Sequence, residues 1–344
     1  MFEALGRVMY RRRRWVVALT LAFVAFAAVW GTGVFGQLTG GGFEDPDSES
    51  TRASEVAAAE LGREGSDVLV LYRSDELTVD DPAFEAAVTD SLEGLPDGVV
   101  ENATTFWGTR APQLVSDDRR ATYAVLTLAA TDENGQRDAL DRIEGDLRAE
   151  GLETSVGGEI AINRDINEMV SSDIARAETI SLPVLAVLLV VIFGSLAAAS
   201  LPLAIGGVAI LGAFTALRGF AQVTDVSIFA VNVVTIIGLG LAIDYGLFMV
   251  SRFREEMHRF GRGRDGVEDA LARTMATAGR TVAVSGVTVA ISLAGLIIFP
   301  QVFLRSMGFG GMSAVLIAMV SALTLLAALL AMLGPKVDSL SLRP

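Results

Sequence analysis

The sequence predicts an α-helical membrane protein of six transmembrane helices, with an α+β ferredoxin-like extracytoplasmic domain between helices 1 and 2. Three observations predict it. Of the 344 residues, 51% are hydrophobic and the mean hydropathy is +0.49, too apolar for an ordinary soluble chain. Apolar runs of about 20 residues, enough to cross a hydrocarbon core of about 30 Å, recur along it. Charge is segregated as well: between Gln37 and Glu178 about 32 Asp and Glu face about 11 Arg, and the remainder is net basic.

Residues 1–36 hold a cytoplasmic N-terminus and the first span, Trp15–Gly36, which follows four arginines, Arg11–Arg14. Its length and the lack of a small-x-small cleavage site favour a retained anchor over a signal peptide. Residues 37–178 form the acidic outer domain, a porter-like unit. It opens with "GGGFEDPDSES", whose Asp45, Asp47 and Glu49 lack the liganding pattern of a Ca²⁺ loop and read as a solvated linker. Strands are expected at Asp67–Tyr72, Gly98–Trp107, Ala121–Ala129 and Glu153–Ile162, with helices at Asp81–Leu95 and Asn134–Gly151. Two βαβ units in about 100 residues suggest a split-βαβ sandwich. Phe106 and Trp107 are placed either along a ligand cleft or in its core.

Residues 179–333 carry the other five spans: Thr179–Leu196, Leu201–Leu217, Ser227–Val250, Thr281–Phe299 and Phe309–Leu333. A cytoplasmic loop, 251–280, separates spans 4 and 5, and 334–344 is a cytoplasmic tail. Seven arginines between Arg252 and Arg280 fill that loop, whereas the links after spans 3 and 5 carry only Arg218 and Arg305. Positive charge marks the inner side, so both termini are expected in the cytoplasm and the acidic domain outside the cell membrane. There is no cysteine, so no disulfide or thiolate chemistry. Lys336 is the only lysine, which excludes a GxxxxGK phosphate loop. His258, the only histidine, sits in an arginine-rich stretch and reads as a surface residue. No serine–lysine, paired-aspartate or metal constellation lies in the spans, so no enzyme activity, metal, cofactor or nucleic-acid partner is expected.

The informative stretch is "IIGLGLAIDYGLFMV", Ile236–Val250, an apolar run interrupted by Asp244 and Tyr245. A carboxylate at mid-bilayer costs roughly 2.5–3.5 kcal/mol even on lenient scales, so its presence points to work. Positions four apart share a helix face, which puts Asn232, Gly240, Asp244 and Ser251 on one stripe of span 4. Gly238, Ala242 and Gly246 make a second, small-residue stripe suited to close helix packing. Span 5 offers hydroxyls at Thr281, Ser285, Thr288 and Ser292, and Ser285 to Thr288 lie at the depth of Asp244. These groups either join neighbouring helices or form a proton site, in which uptake of a proton removes the charge and with it the cost of burial.

The chain resembles the N-terminal half of an MMPL-family transporter of the resistance-nodulation-division superfamily. The resemblance rests on "RRRRW", "GGGFEDPDSES", "GGEIAINRDINEMV", "ISLPVLAVLLVVIFGSL", "DVSIFAVNVVTIIGLGLAIDYGLFMVSRFREE", "TMATAGRTVAVSGVTVA" and "FLRSMGFGGM". It implies a proton-driven exporter of lipids or other hydrophobic molecules, with Asp244 and Tyr245 as half of a proton relay and Ser285 close to it. Asn232, Thr288 and Ser292 would support that relay. Such transporters have two similar six-span halves and this sequence carries one, so the expected partners are membrane lipids, a hydrophobic substrate, and either a second copy or a second six-span half. The small stripe is expected to bring two copies of span 4 together. Protein-translocation accessory subunits of the same superfamily share the layout, and a non-transporting scaffold or lipid sensor is the other alternative.

Overall fold

The computed structural model describes residues 1–42, 45, 48–61, 66–261 and 263–339, so parts of the expected linker and tail, Asp47 among them, lie outside the described residues. In chain order the elements are α1 (Phe2–Val29), β1 (Leu38–Thr39), α2 (Glu49–Leu61), β2 (Val68–Arg73), α3 (Pro82–Glu93), β3 (Val100–Thr104) and α4 (Phe106–Thr109). There follow β4 (Ala121–Leu128), α5 (Glu133–Ile143), β5 (Glu153–Gly157), α6 (Glu159–Phe193), α7 (Leu196–Phe220), β6 (Val226–Ser227) and α8 (Phe229–Phe260). Helices α9 (Arg264–Thr274) and α10 (Arg280–Ala294) are joined by a π-helical turn, Met275–Gly279, and α11 (Val302–Ser321) and α12 (Ala327–Leu333) by another, Ala322–Leu326. The chain divides into two compact units, Met1–Asp45 with Ile174–Pro344, and Pro46–Asp173.

Among its described residues the first unit holds six helical segments long and apolar enough to cross a membrane: Phe2–Gly36, Ala175–Phe193, Leu196–Phe220, Phe229–Phe260, Arg264–Ile298 and Val302–Asp338. Its centre is the trio α7, α8 and α11, packed on one another, with α10 against α11 and α1 against α12 and α9. Without a hydrophobic drive between helices in lipid, small residues permit this closeness. On α7 the buried line Leu201, Ile205, Ala209, Ala213 and Leu217 has the helical spacing of an inward face. At one end, β1 pairs in parallel with β6, Leu38 opposite Val226. At the other, the Arg254 guanidinium donates to the Phe193 carbonyl at 2.8 Å and pairs with Asp338, while the Ser195 hydroxyl lies 3.0 Å from the Val337 carbonyl.

Two expectations change here. The fourth span was expected to end at Val250, but α8 continues to Phe260 and stops where Gly261 takes φ +84°, a conformation that suits glycine. Hydropathy marks the edge of the bilayer, and a helix does not have to end there. The loop expected at 251–280 is accordingly helical over most of its length, because Val267, Ala270, Leu271 and Thr274 of α9 are buried, and α9 packs against α1 and α8.

The second unit is a four-stranded sheet in the order β3-β4-β2-β5, every neighbour antiparallel. The units β2-α3-β3 and β4-α5-β5 are therefore each split by a strand of the other. Val68, Val70 and Tyr72 alternate along β2 toward one buried face, where they meet Phe84 and Val88 of α3 and Leu140 and Ile143 of α5. The strand expected at Gly98–Trp107 ends at Thr104, because the Thr105 hydroxyl accepts from the Gly108 amide and starts a helical turn. Phe106 is buried in the core, and the Trp107 indole donates to the Val79 carbonyl at 3.2 Å. These aromatics are packing residues; the cleft reading is set aside. The closing strand is shorter than expected because Gly158, at φ +101°, turns the chain into α6, and a Cβ there would lie 2.8 Å from the Asp67 carbonyl oxygen.

Candidate functional site

Between Phe229 and Ser251, α8 carries one charged residue, Asp244. The helix has two faces. Ala230, Val234, Gly238, Ala242, Tyr245, Gly246 and Met249 are buried. Ile236, Gly240, Asp244, Phe248 and Ser251, spaced by four, four, four and three, are exposed at the surface of the unit. A Cβ built on Gly240 meets no atom within 4 Å, so this face is open one turn before Asp244. The stripe of Gly240, Asp244 and Ser251 expected from the sequence lies along it.

The small-residue stripe lies elsewhere. A Cβ on Gly238 would sit 3.2 Å from the Ala314 Cβ of α11, and one on Gly246 would sit 2.8 Å from the Pro202 Cβ of α7. Ala242 is fully buried between them. The expected contact between two copies of span 4 through Gly238, Ala242 and Gly246 is corrected: their close approach is made with α7 and α11 of the same chain. A small-xxx-small pattern states that a helix comes near without stating which one.

On α10 the four hydroxyl residues Thr281, Ser285, Thr288 and Ser292 are all exposed or half-buried, while Val282, Gly286 and Ala290 are buried on the opposite side. Thr288 donates to the Val284 carbonyl at 2.9 Å and Ser292 to the Thr288 carbonyl at 3.0 Å. This back-bonding uses the hydroxyl proton and leaves oxygen lone pairs free to accept.

Tyr245 joins the two helices. Its side chain is 4% exposed, and its buried hydroxyl has no hydrogen-bond partner among the described residues. The polar groups that bear on it are the Ser285 hydroxyl and the Asp244 carboxylate. A buried hydroxyl left in this state calls for an explanation, and a working role is one. Ser285 is thus brought to the Asp244–Tyr245 pair. Thr288 lies about one turn toward the C-terminal end of α10, about 4.5 Å along the helix from Ser285, and Ser292 about 10 Å. Asn232, half-buried, is twelve residues or about 18 Å from Asp244 and does not reach the pair. Among the described residues no group of three or more His, Cys, Asp or Glu could hold a metal. The site offers a carboxyl that can gain or lose a proton, a phenol that can donate or accept, and a serine hydroxyl beside the phenol.

Beside Ser251 and Thr281 the structure adds Arg252, Glu255 and Thr277, none of them singled out from the sequence as a site residue. Toward the C-terminal end of α8, Ser251, Arg252 and Glu255 face Thr277 and Thr281 across a cleft of about 400 Å³. Arg252 holds Glu255 at 2.6 Å and also pairs with the buried Glu256. The signal was present in the numbering: Ser251 and Glu255 fall seven and eleven residues after Asp244, on the same helix line.

The MMPL family profile matches residues 42–343. The chain belongs to the MMPL family. It is 40% identical over 352 residues to a putative membrane protein of Streptomyces coelicolor, a match that takes in 100% of this chain and 48% of that protein. It is 36% identical over 350 residues to the trehalose monomycolate exporter MmpL3 of Mycobacterium tuberculosis, covering 100% of this chain and 37% of the exporter. To the mycolic acid-containing lipids exporter MmpL11 of Mycolicibacterium smegmatis it is 30% identical over 335 residues, 94% of this chain and 34% of that one. The chain spans about half or less of the length of these relatives. MMPL proteins are membrane transporters, and this chain is a multi-pass member of that family.

Proposed function

We propose that this MMPL chain is one six-span unit of a proton-motive-force-driven exporter of lipids or other hydrophobic molecules. Asp244 and Tyr245 form the proton relay, Ser285 hydrogen-bonds within it in the working cycle, and Thr288 and Ser292 continue its polar face. The observation that carries the reading is a lone intramembrane carboxylate on an open face, beside a buried phenol that lacks a partner. Leaving that face in hydrocarbon would cost several kcal/mol by most estimates, so it meets protein, and protonation of Asp244 changes how well the two surfaces fit. The second surface belongs to another six-span unit, a second copy or a separate half; relatives more than twice as long as this chain support the need for one. The export of trehalose monomycolate and of mycolic acid-containing lipids by relatives supports lipid as the cargo class.

In vesicles of native membranes carrying the chain, movement of a fluorescent lipid is expected to require an imposed proton gradient and to stop when an ionophore collapses it. Transport that continues without the gradient overturns proton coupling.

We read the unit Pro46–Asp173 as the ferredoxin-like extracytoplasmic domain, on the strength of its split-βαβ strand order. The arginine distribution supports a cytoplasmic position for both termini. Cysteines introduced singly at Asp117 and Gly263, both exposed, are expected to respond oppositely to a membrane-impermeant thiol reagent on intact cells, Asp117→Cys labelling and Gly263→Cys not. Equal labelling, or the reverse, overturns the orientation.

A further inference from the structure

We propose that the proton leaves Asp244 for the cytoplasm through the cleft between α8 and the inner part of span 5, with Ser251 and Thr281 as its walls and Glu255 as the acceptor at its mouth. The inference rests on the proton reading of Asp244 and extends it to residues that reading did not use.

Helix geometry sets the first wall. At 100° per residue, Ser251 and Glu255 both return to within about 20° of the line through Asp244, about 10 and 16 Å further along α8. The second wall runs antiparallel: Thr281 and Thr277 lie four and eight residues before Ser285 and face Ser251 and Glu255 across the cleft, while on α8 the ring of Phe248, between Asp244 and Ser251, is the one apolar side chain the path has to pass. The cleft they enclose measures about 400 Å³, room for roughly a dozen waters at about 30 Å³ each.

Its chemistry suits a proton moving as hydronium. The Thr277 hydroxyl donates to the Arg273 carbonyl at 2.9 Å, and the Thr281 hydroxyl lies 3.4 Å from the Thr277 carbonyl. Their protons are directed to their own helix, and the remaining lone pairs accept hydrogen bonds from water. Glu255 faces one charged group in the cleft, Arg252 on its own helix, whose Nη1 donates to it at 2.6 Å. Arg252 is shared with Glu256, which is 1% exposed and lies 3.5 Å from Arg259. From the span 5 side Thr277, Ala278 and Thr281 line the cleft and bring no charge. The step balances as proton transfer alone: the Asp244 O–H bond breaks toward water, a water proton passes to the Glu255 carboxylate, and Glu255 releases it to the cytoplasm.

The chain has no cysteine of its own, which makes the test direct. Ser251→Cys and Thr281→Cys are prepared in inside-out native membrane vesicles with Gly263→Cys as the aqueous reference and Leu21→Cys, 64% exposed on α1, as the apolar one. An impermeant cationic thiosulfonate is expected to modify both cleft positions within about tenfold of the Gly263→Cys rate, and Leu21→Cys about a hundredfold more slowly, since a thiol in apolar surroundings is scarcely ionised. Modification at Ser251→Cys or Thr281→Cys is expected to cut proton flux by about tenfold or more, with Glu255→Gln doing the same and Glu255→Asp restoring most of it. Cleft cysteines that label as slowly as Leu21→Cys, or that label fully with flux unchanged, overturn the proposal. Asp244→Asn is run alongside: normal flux in that variant overturns the relay reading itself, whereas its loss together with unaffected flux in the modified cleft variants overturns only the exit route.

Discussion

Asp244→Asn is expected to give a protein that inserts and folds normally and has lost proton-dependent export, by at least about a hundredfold, the lower range of what a positioned acid–base group contributes. Asparagine keeps the shape of aspartate and removes the exchangeable carboxyl proton. Folding survives because Asp244 lies on the open face of α8 and makes no hydrogen bond or ion pair among the described residues. Tyr245→Phe sharpens the argument. Its hydroxyl is buried without a partner, so deleting it leaves stability unchanged or raises it, and a fall in flux at unchanged stability then assigns the hydroxyl to transport. Ser285→Ala is expected to weaken flux less, since the Asp244–Tyr245 pair remains. The measurements are gradient-driven lipid transport and the melting temperature of each purified variant. Normal transport by Asp244→Asn would make Asp244 a structural residue and end the relay reading.

How much of this was legible in the sequence follows from what each signal reports. Six apolar runs and a lone Asp in the fourth are statements about single residues against a solvent, and hydropathy reads those directly. The buried alternation of Val68, Val70 and Tyr72 in β2 is a period-two pattern and was equally readable. Which neighbour a helix face meets was not. Gly238, Ala242 and Gly246 advertise a close neighbour, but whether that is Pro202 and Ala314 of this chain or a second copy depends on tertiary packing, which lies outside any one helix. The C-terminal end of α8 was hidden for a different reason. From Ser251 onward the residues turn polar, and a hydropathy window stops there although the backbone continues to Phe260. Glu255 and Thr277 were lost with it. The π-helical turn at Met275–Gly279, which joins α9 to α10 without a break, also has no hydropathy signature that would have made a loop a helix.

Gly246→Leu is expected to lose the folded protein, and Gly240→Leu is expected to keep it and lose the partner. A Cβ at position 246 would sit 2.8 Å from both Cβ and Cγ of Pro202 and 3.0 Å from its Cα. Proline has no rotamer to move and its Cα is backbone, so α7 and α8 have to separate. Overpacking of this kind costs about 1–3 kcal/mol for a single added group in a core that can adjust, and this contact is less able to adjust than most. Ala242 and Val250 flank Gly246 on the same buried face, one turn to either side, so the separation propagates along the trio α7, α8 and α11. Gly240 is the control, since nothing lies within 4 Å of a Cβ there and a leucine fits without strain. That leucine nonetheless stands one turn from Asp244 on the face assigned to the second six-span unit, where a close approach between the units leaves it no room. Thermal stability in mild detergent and co-purification of two differently tagged six-span units separate the two effects. If Gly246→Leu melts with the wild type, the inward packing of the small stripe is wrong; if Gly240→Leu retains both assembly and export, the open face of α8 is not where the units meet.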